Sequence, residues 1–261
     1  MTALAAAAYA ALAWRGARDR DALIADIVWR MPISASARPA DRIDALRTFI
    51  NRNTQHKEDA EFFAMWRDET AMLTALRDTL TGARSDPVHT ECSTRAMFMH
   101  EILEHWGYQT RSVWVYATSK DLSSHTFLDV RDPETGRWQS HDPSYDIAWR
   151  DAADGAPVSI AERGGDLSKI APCNATGCSY DIVSREGFSI KDRAEGYFEL
   201  ISVNDPGAGK RYTVYTPRAE TTKTFTQKGR TGTYCEVLAK NCRDGFFAIG
   251  GDGPHRQAAQ P

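Results

Sequence analysis

The spacing of apolar residues changes once in the middle of this chain, and that change restricts the folds it can adopt. From Cys92 to Trp106 apolar side chains recur at helical spacing, and Gly107 provides a helix stop. Beyond the glycine the spacing becomes two, the period of strands, in the segments 111–117, 124–130 and 137–142. A helix followed closely by three neighbouring antiparallel strands predicts an α+β fold.

Cys92 lies in the first turn of the predicted helix. The N–H groups of a first turn have no acceptor within the helix, and the helix dipole places positive potential there. Both effects favour the thiolate over the thiol, and the thiolate is the nucleophilic form. Cys92 is therefore the candidate nucleophile.

His125 and Asp142 fall on the second and third predicted strands. The segment between those strands, Asp132 to Gly136, contains a proline and a glycine that suit a hairpin turn. Such a hairpin would bring the imidazole and the carboxylate close together. A thiol enzyme needs that arrangement, because an imidazole must reach the sulfur while a carboxylate fixes its tautomer.

Four segments occur in one order: a helix that starts with Cys at 91–107, a G-x-x-x-R-x-V strand at 107–113, the His strand at 124–130 and G-x-W-x-x-x-D-P at 136–143. In this order they resemble the transglutaminase-like superfamily of papain-type cysteine enzymes. The resemblance implies a papain-like core with Cys92 as nucleophile, His125 as base and Asp142 as the residue that orients the base. It also implies attack on an amide or peptide bond through a thioester, which water or an amine resolves.

The resemblance predicts a cysteine protease, an amidase or a transglutaminase-type acyltransferase that acts on a peptide or protein substrate. Hydrolysis is favoured, because water is always available. The alternative is a catalytically inactive module that keeps the fold for binding or scaffolding, since fold does not determine function. Each of the three residues taken singly has a common structural explanation. A cysteine is often buried as a small apolar residue, a histidine often has its hydrogen bonds satisfied within the fold, and Asp-Pro often forms a turn.

The chain has 261 residues, enough for one large domain or for one domain with a small partner. Upstream, helical spacing predicts helices that pack behind the nucleophile helix, at 21–31, 39–51 and 59–80. Residues 1–20 are expected to be a signal or anchor remnant or an N-terminal helix, and residues 21–150 a transglutaminase-like catalytic core. An irregular connection is expected at 151–177, a β-rich extension at 178–249 and a disordered tail at 250–261.

The composition is that of a soluble globular protein, with 42% hydrophobic and 26% charged residues and a net charge of −3. No run of Lys or Arg forms a basic stripe, so a nucleic-acid partner is not expected. The apolar segment at residues 1–14 is shorter than the roughly 20 residues that a membrane-spanning helix requires. Membrane association is therefore not expected beyond an N-terminal anchor, and the oligomeric state stays open.

Five cysteines leave two close pairs once Cys92 is set aside, namely Cys173 with Cys178 and Cys235 with Cys242. Disulfides are the first expectation for these pairs, free thiols the second and a structural zinc site the third. A cross-link between the pairs stays open as well. Disulfides form in oxidising compartments, which favours a periplasmic or secreted protein over a cytoplasmic one.

Neither a metal nor another cofactor is expected. The segment from His100 to His105 has the residue types of a zinc-protease helix but not the spacing. Histidines five positions apart lie about 140° apart around a helix, whereas zinc ligands occupy positions i and i+4 on one face. His141 is another candidate base, but strand alternation points it away from the face of Asp142.

Overall fold

A computed structural model describes residues 18–116, 124–164, 166–198, 200–205, 210–215, 224–227, 230–233 and 246–248. Residues 18–30 are helical and form α1. The other described helices are α2 (Pro39–Asn53), α3 (Ala60–Met65), α4 (Glu69–Thr81), α5 (Cys92–His105) and α6 (Ile190–Tyr197). Helix α5 is the predicted nucleophile helix, and it ends beside Gly107, whose φ of 82° suits a residue without a side chain.

The described strands are β1 (Thr54–His56), β2 (Val88–Thr90), β3 (Thr110–Tyr116), β4 (Ser124–Arg131), β5 (Trp138–Asp142), β6 (Ile147–Asp151), β7 (Ile170–Asn174), β8 (Gly177–Cys178), β9 (Leu200–Asp205), β10 (Lys210–Tyr215), β11 (Thr224–Gln227), β12 (Arg230–Thr233) and β13 (Phe246–Ala248). Nine of them form one sheet in the order β13-β10-β9-β3-β4-β5-β6-β7-β8. Its pairs are antiparallel except for the parallel pair of β10 with β13. The α+β class predicted from the sequence is confirmed.

Strands β4 and β5 form the predicted hairpin. In its turn the N–H of Gly136 donates to the carbonyl of Asp132 at 2.8 Å, and Gly136 has a φ of 68°. The register pairs Leu128 with His141 and Asp129 with Ser140. Asp142 consequently lies diagonally across from His125 on the same face of the sheet, since side chains alternate with period two.

The two faces of the sheet carry separate apolar clusters. Leu128 and Val130 of β4 pack with the buried faces of α1, α2, α4 and α5. Phe127, the residue before Leu128, packs in the second cluster with residues of β3, β6, β9 and α6, and with Phe198, which follows α6. Burial on both faces explains why β4 is almost wholly buried, and it fixes the strand register, because a slip by one residue would exchange the two faces.

The helix predicted over 59–80 is wrong in one respect, because the structure divides it into α3 and α4. Asp59 caps α3 by accepting from the N–H groups of Glu61 and Phe62, and Asp68 caps α4 by accepting from the N–H of Ala71. An aspartate that caps a new helix competes with continuation of the previous one. Apolar spacing alone predicted one continuous helix, because it does not register the capping role of Asp68.

The region predicted as an irregular connection, 151–177, contains β7 and the start of β8, which extend the sheet beyond β6. In the region predicted as β-rich, α6 precedes strands β9 and β10. Strand β9 pairs with β3 on the side away from β4, and β10 pairs with β9. The main sheet therefore draws strands from both regions. The predictions for the N-terminal segment and for the C-terminal tail fall mainly outside the described residues.

A disulfide joins Cys173 to Cys178 across the paired strands β7 and β8, as the sequence predicted for this pair. Zinc and free thiols are thereby excluded for these two residues. Cys235 and Cys242 lie outside the described residues. None of the described helices is both long and apolar enough to cross a membrane.

Candidate active site

His125 and Asp142 are in direct contact. The Nε2 atom of His125 lies 2.6 Å from Oδ2 of Asp142, and both side chains are buried. The other carboxylate oxygen of Asp142 accepts from the backbone N–H of Ser144 at 2.8 Å. With both oxygens engaged, the carboxylate is fixed, and the imidazole ring is oriented by it.

Tyr145 packs against the other side of His125. The two rings are nearly perpendicular, at 83°, with centroids 5.5 Å apart. The Tyr145 hydroxyl accepts from Nε of Arg193 at 2.9 Å. Burial raises the pKa of Tyr145 to about 12, so the hydroxyl stays protonated and adds no negative charge beside the imidazole.

Cys92 begins α5, as predicted, and it is partly exposed. Burial opposes ionisation of the thiol, but the hydrogen bond and positive charge of His125 and the backbone N–H of Thr126 outweigh it, so the pKa of Cys92 is lowered. Because Nε2 of His125 is held by Asp142, Nδ1 is the ring nitrogen left to face the sulfur.

The pKa of His125 moves in the opposite direction. Burial disfavours the imidazolium, but the charge and hydrogen bond of Asp142, followed by those of Cys92, raise the pKa of His125 to about 9. A lowered thiol pKa together with a raised imidazole pKa favours a thiolate–imidazolium pair near neutral pH. The structure thus brings the three residues singled out in the sequence into one interacting group.

A cleft of about 680 Å³ opens beside Cys92 and His125. This volume falls in the range of small-ligand sites, about 300–1,000 Å³. Aromatic side chains from β3 and from the segment around α6 line it, namely Trp114, Tyr116, Phe188 and Tyr197. The polar residues in its lining include His56, Glu58 and Glu91 near β1 and α5, and Arg193 on α6. Burial, assisted by the Arg95 guanidinium, lowers the pKa of His56, so this lining residue is neutral.

His141 lies on the other face of the hairpin, as the alternation predicted. Its Nδ1 is 3.2 Å from Nη1 of Arg47 in α2. An arginine can only donate, so Nδ1 accepts and the proton resides on Nε2. Burial, assisted by the Arg47 charge, lowers the pKa of His141 to about 3. His141 is therefore a neutral residue of the helix–sheet interface and not a second base.

A second cleft of about 640 Å³ lies between α2 and the β6–β7 edge, and none of the three candidate catalytic residues lines it. The described part of the chain contains no group of three or more His, Cys, Asp or Glu side chains placed to hold a metal ion.

The sequence pattern assigns no role to three residues of the candidate site: His56 and Arg193, which line the cleft, and Tyr145, which contacts His125 and Arg193. His56 lies on β1, a three-residue strand too short for a periodic signal. Arg193 follows Cys92 by about a hundred positions and falls in the region predicted as an extension. No local pattern in the sequence marks any of the three.

Comparison with models of known protein families finds no family that matches this chain, and comparison with curated proteins finds no similar sequence.

Proposed function

We propose that this protein is a cysteine-dependent amide or peptide-bond hydrolase with a papain-like core of the transglutaminase type. The observation that carries the proposal is the coupling of three residues from separate elements: a thiol at a helix start, an imidazole with a raised pKa, and a buried carboxylate 2.6 Å from it. Structural roles alone do not require a histidine to lie between a thiol and a carboxylate.

In the first step the Cys92 thiolate attacks the substrate carbonyl and a sulfur–carbon bond forms. The carbonyl oxygen becomes negatively charged, and the backbone N–H of Cys92 is the candidate donor to it, because a first-turn N–H has no intrahelical acceptor. His125 then gives its proton to the leaving amine, and the carbon–nitrogen bond breaks. A thioester on Cys92 remains.

In the second step water attacks the thioester carbonyl while His125 accepts a proton from it, and a carbon–oxygen bond forms. The carbon–sulfur bond then breaks, so the acid is released and Cys92 returns to the thiolate beside protonated His125. An amine could take the place of water, and the same three residues would then perform acyl transfer. Hydrolysis is the proposed outcome, because the cleft is open and Cys92 is partly exposed, so water reaches the intermediate.

The experiment that tests this function uses p-nitrophenyl acetate as an acyl donor with purified protein. We expect a burst of p-nitrophenol stoichiometric with protein, followed by slow turnover, and an acetyl group on the Cys92 peptide in the mass spectrum. Adding hydroxylamine should speed turnover by cleaving the thioester. The variant Cys92→Ser is the matched control, since it keeps the size of the side chain and loses the thiol, and it should show no burst.

The alternative is a binding or scaffolding module that retains the fold without catalysis. That reading would replace the proposal if no acetyl group reaches Cys92, or if the burst persists in Cys92→Ser. Hydroxylamine cleaves any thioester and does not separate the two outcomes, whereas an N-acetylated alkylamine as the main product, when an alkylamine is added at neutral pH, would favour acyl transfer over hydrolysis.

A further inference from the structure

Arg193 projects into the cleft beside the nucleophile. It sits in the first half of α6, whose start is capped by Ser189 accepting from the N–H of Asp192 at 3.2 Å. The guanidinium carbon lies 4.4 Å from the centroid of the Tyr197 ring and 5.7 Å from that of Phe188. These ring contacts and the bond to Tyr145 hold the charged group in one place.

The charge of Arg193 has no carboxylate partner among the described residues. Its Nε is used by the Tyr145 hydroxyl, and the described residues offer no acceptor to its Nη groups. Burial works against the guanidinium charge, yet the pKa of Arg193 is raised, through Tyr145, Tyr197 and Cys92. A half-buried arginine is usually paired with a carboxylate, so an unpaired one in a cleft marks a place for an anion.

The two glutamates of the cleft do not fill that place. Glu58 lies within 3.5 Å of His56, and Glu91 accepts from the hydroxyl of Ser93. Arg193 is the one arginine or lysine in the described lining of the cleft. A substrate would therefore meet a cation and aromatic rings at the α6 side, and carboxylates near the start of α5.

We propose that Arg193 binds a carboxylate of the acyl donor close to the scissile carbonyl, so that the site selects anionic substrates. The inference rests on the proposed function and deepens it by naming the substrate class. A guanidinium presents paired N–H groups that match the two oxygens of a carboxylate, and the Tyr197 ring, 4.4 Å from the guanidinium carbon, helps to hold it in place.

Iodoacetate and iodoacetamide test this directly, because they differ only in carrying a carboxylate or an amide. In both reactions the Cys92 sulfur forms a bond to the methylene carbon, the carbon–iodine bond breaks, and iodide leaves with the electron pair. Both reagents depend equally on the thiolate fraction, so the ratio of their second-order rate constants cancels changes in the pKa of Cys92. What remains in the ratio is the preference for the carboxylate.

We expect Arg193→Gln to lower the iodoacetate-to-iodoacetamide ratio by about 10- to 100-fold, the range for losing a hydrogen bond to a charged group. Arg193→Lys should lower it less, because the charge remains while the paired N–H geometry is lost. Lys191→Gln is the matched control: it removes one positive charge from an exposed site on the same helix, away from the cleft, and should leave the ratio unchanged.

An unchanged ratio in Arg193→Gln, with both reagents still labelling Cys92, would overturn the proposal while leaving the nucleophile intact. A fall in both rates with a constant ratio would also overturn it, and would assign Arg193 to positioning through Tyr145. Failure of both reagents to label Cys92 in the unaltered protein would instead contradict the proposed function, and the inference about Arg193 would fall with it.

Discussion

The imidazole of His125 and the carboxylate of Asp142 meet at 2.6 Å although 17 positions separate them in the chain. A single hairpin accounts for the contact. Its register places the two residues diagonally on one face, and its turn has the glycine that the backbone needs. Because the pair is buried, each charge depends on the other, and replacing one of them should change the chemistry of Cys92.

Asp142→Asn should lower the rate at which p-nitrophenyl acetate acylates Cys92 by about 10²-fold or more, within the range for general acid–base catalysis. The cause is the loss of the carboxylate charge, which holds the pKa of His125 up at about 9. Glu134→Gln is the control, since Glu134 is an exposed carboxylate at the turn of the same hairpin. An Asp142→Asn variant that acylates as fast as the control would show that the pair is not part of the machinery.

Arg95, which is buried, and Glu186, which is partly buried, form an ion pair that ties the segment before α6 to the nucleophile helix. Nη2 of Arg95 lies 2.5 Å from Oε1 of Glu186, and the same carboxylate oxygen accepts from the backbone N–H of His56. Arg95→Met should lower the free energy of unfolding by about 2–3 kcal/mol, because Glu186 loses its close charged donor and keeps only the longer contact with Arg185, at 3.7 Å. Urea denaturation followed by circular dichroism measures the change.

The double variant Arg95→Met, Glu186→Gln gives the control for that value. Removing both charges leaves no unpaired one, so the double variant should be more stable than the sum of the two single changes predicts. Simple additivity of the single changes would contradict an ion pair as the cause.

His141 should make the fold sensitive to acid. Its pKa is about 3 in the folded state, held down first by burial and then by Arg47, against about 6.5 in an unfolded chain. Between these values the unfolded chain binds the extra proton, so stability is lost as pH falls below about 6.5. The contribution to the slope is at most about 1.4 kcal/mol per pH unit.

His141→Gln should flatten the dependence of unfolding free energy on pH between 4 and 6.5, because a neutral amide can still accept from Arg47 and does not titrate. His105→Gln is the control, since His105 is exposed at the end of α5. Identical slopes for the unaltered protein and His141→Gln, from urea denaturation at several pH values, would refute this origin of acid sensitivity.

The elements that could be predicted from the sequence are those with a local signal. Apolar spacing is detectable in elements that are long enough, and these include helix α5 and strands β3, β4 and β5. The turn residues between β4 and β5 specify the hairpin. The candidate catalytic residues lie on these elements, so their proximity followed from the same patterns.

The remainder depends on contacts between distant parts of the chain. The parallel pair of β1 with β2 joins two strands of three residues, too short to show a period. The Arg95–Glu186 contact spans 91 positions, and the contact of Arg193 with Tyr145 spans 48. Such pairs are set by the tertiary fold, which propensity and spacing do not encode.

The most direct test of the proposed catalytic group is the pH dependence of alkylation of Cys92 by iodoacetamide in the unaltered protein and in His125→Ala. The thiolate–imidazolium pair predicts a midpoint below that of an ordinary thiol, about 8.5, and an upward shift of that midpoint in His125→Ala. Labelling must map to Cys92 and vanish in Cys92→Ser. Equal midpoints near the ordinary thiol value in both proteins would contradict an activated nucleophile.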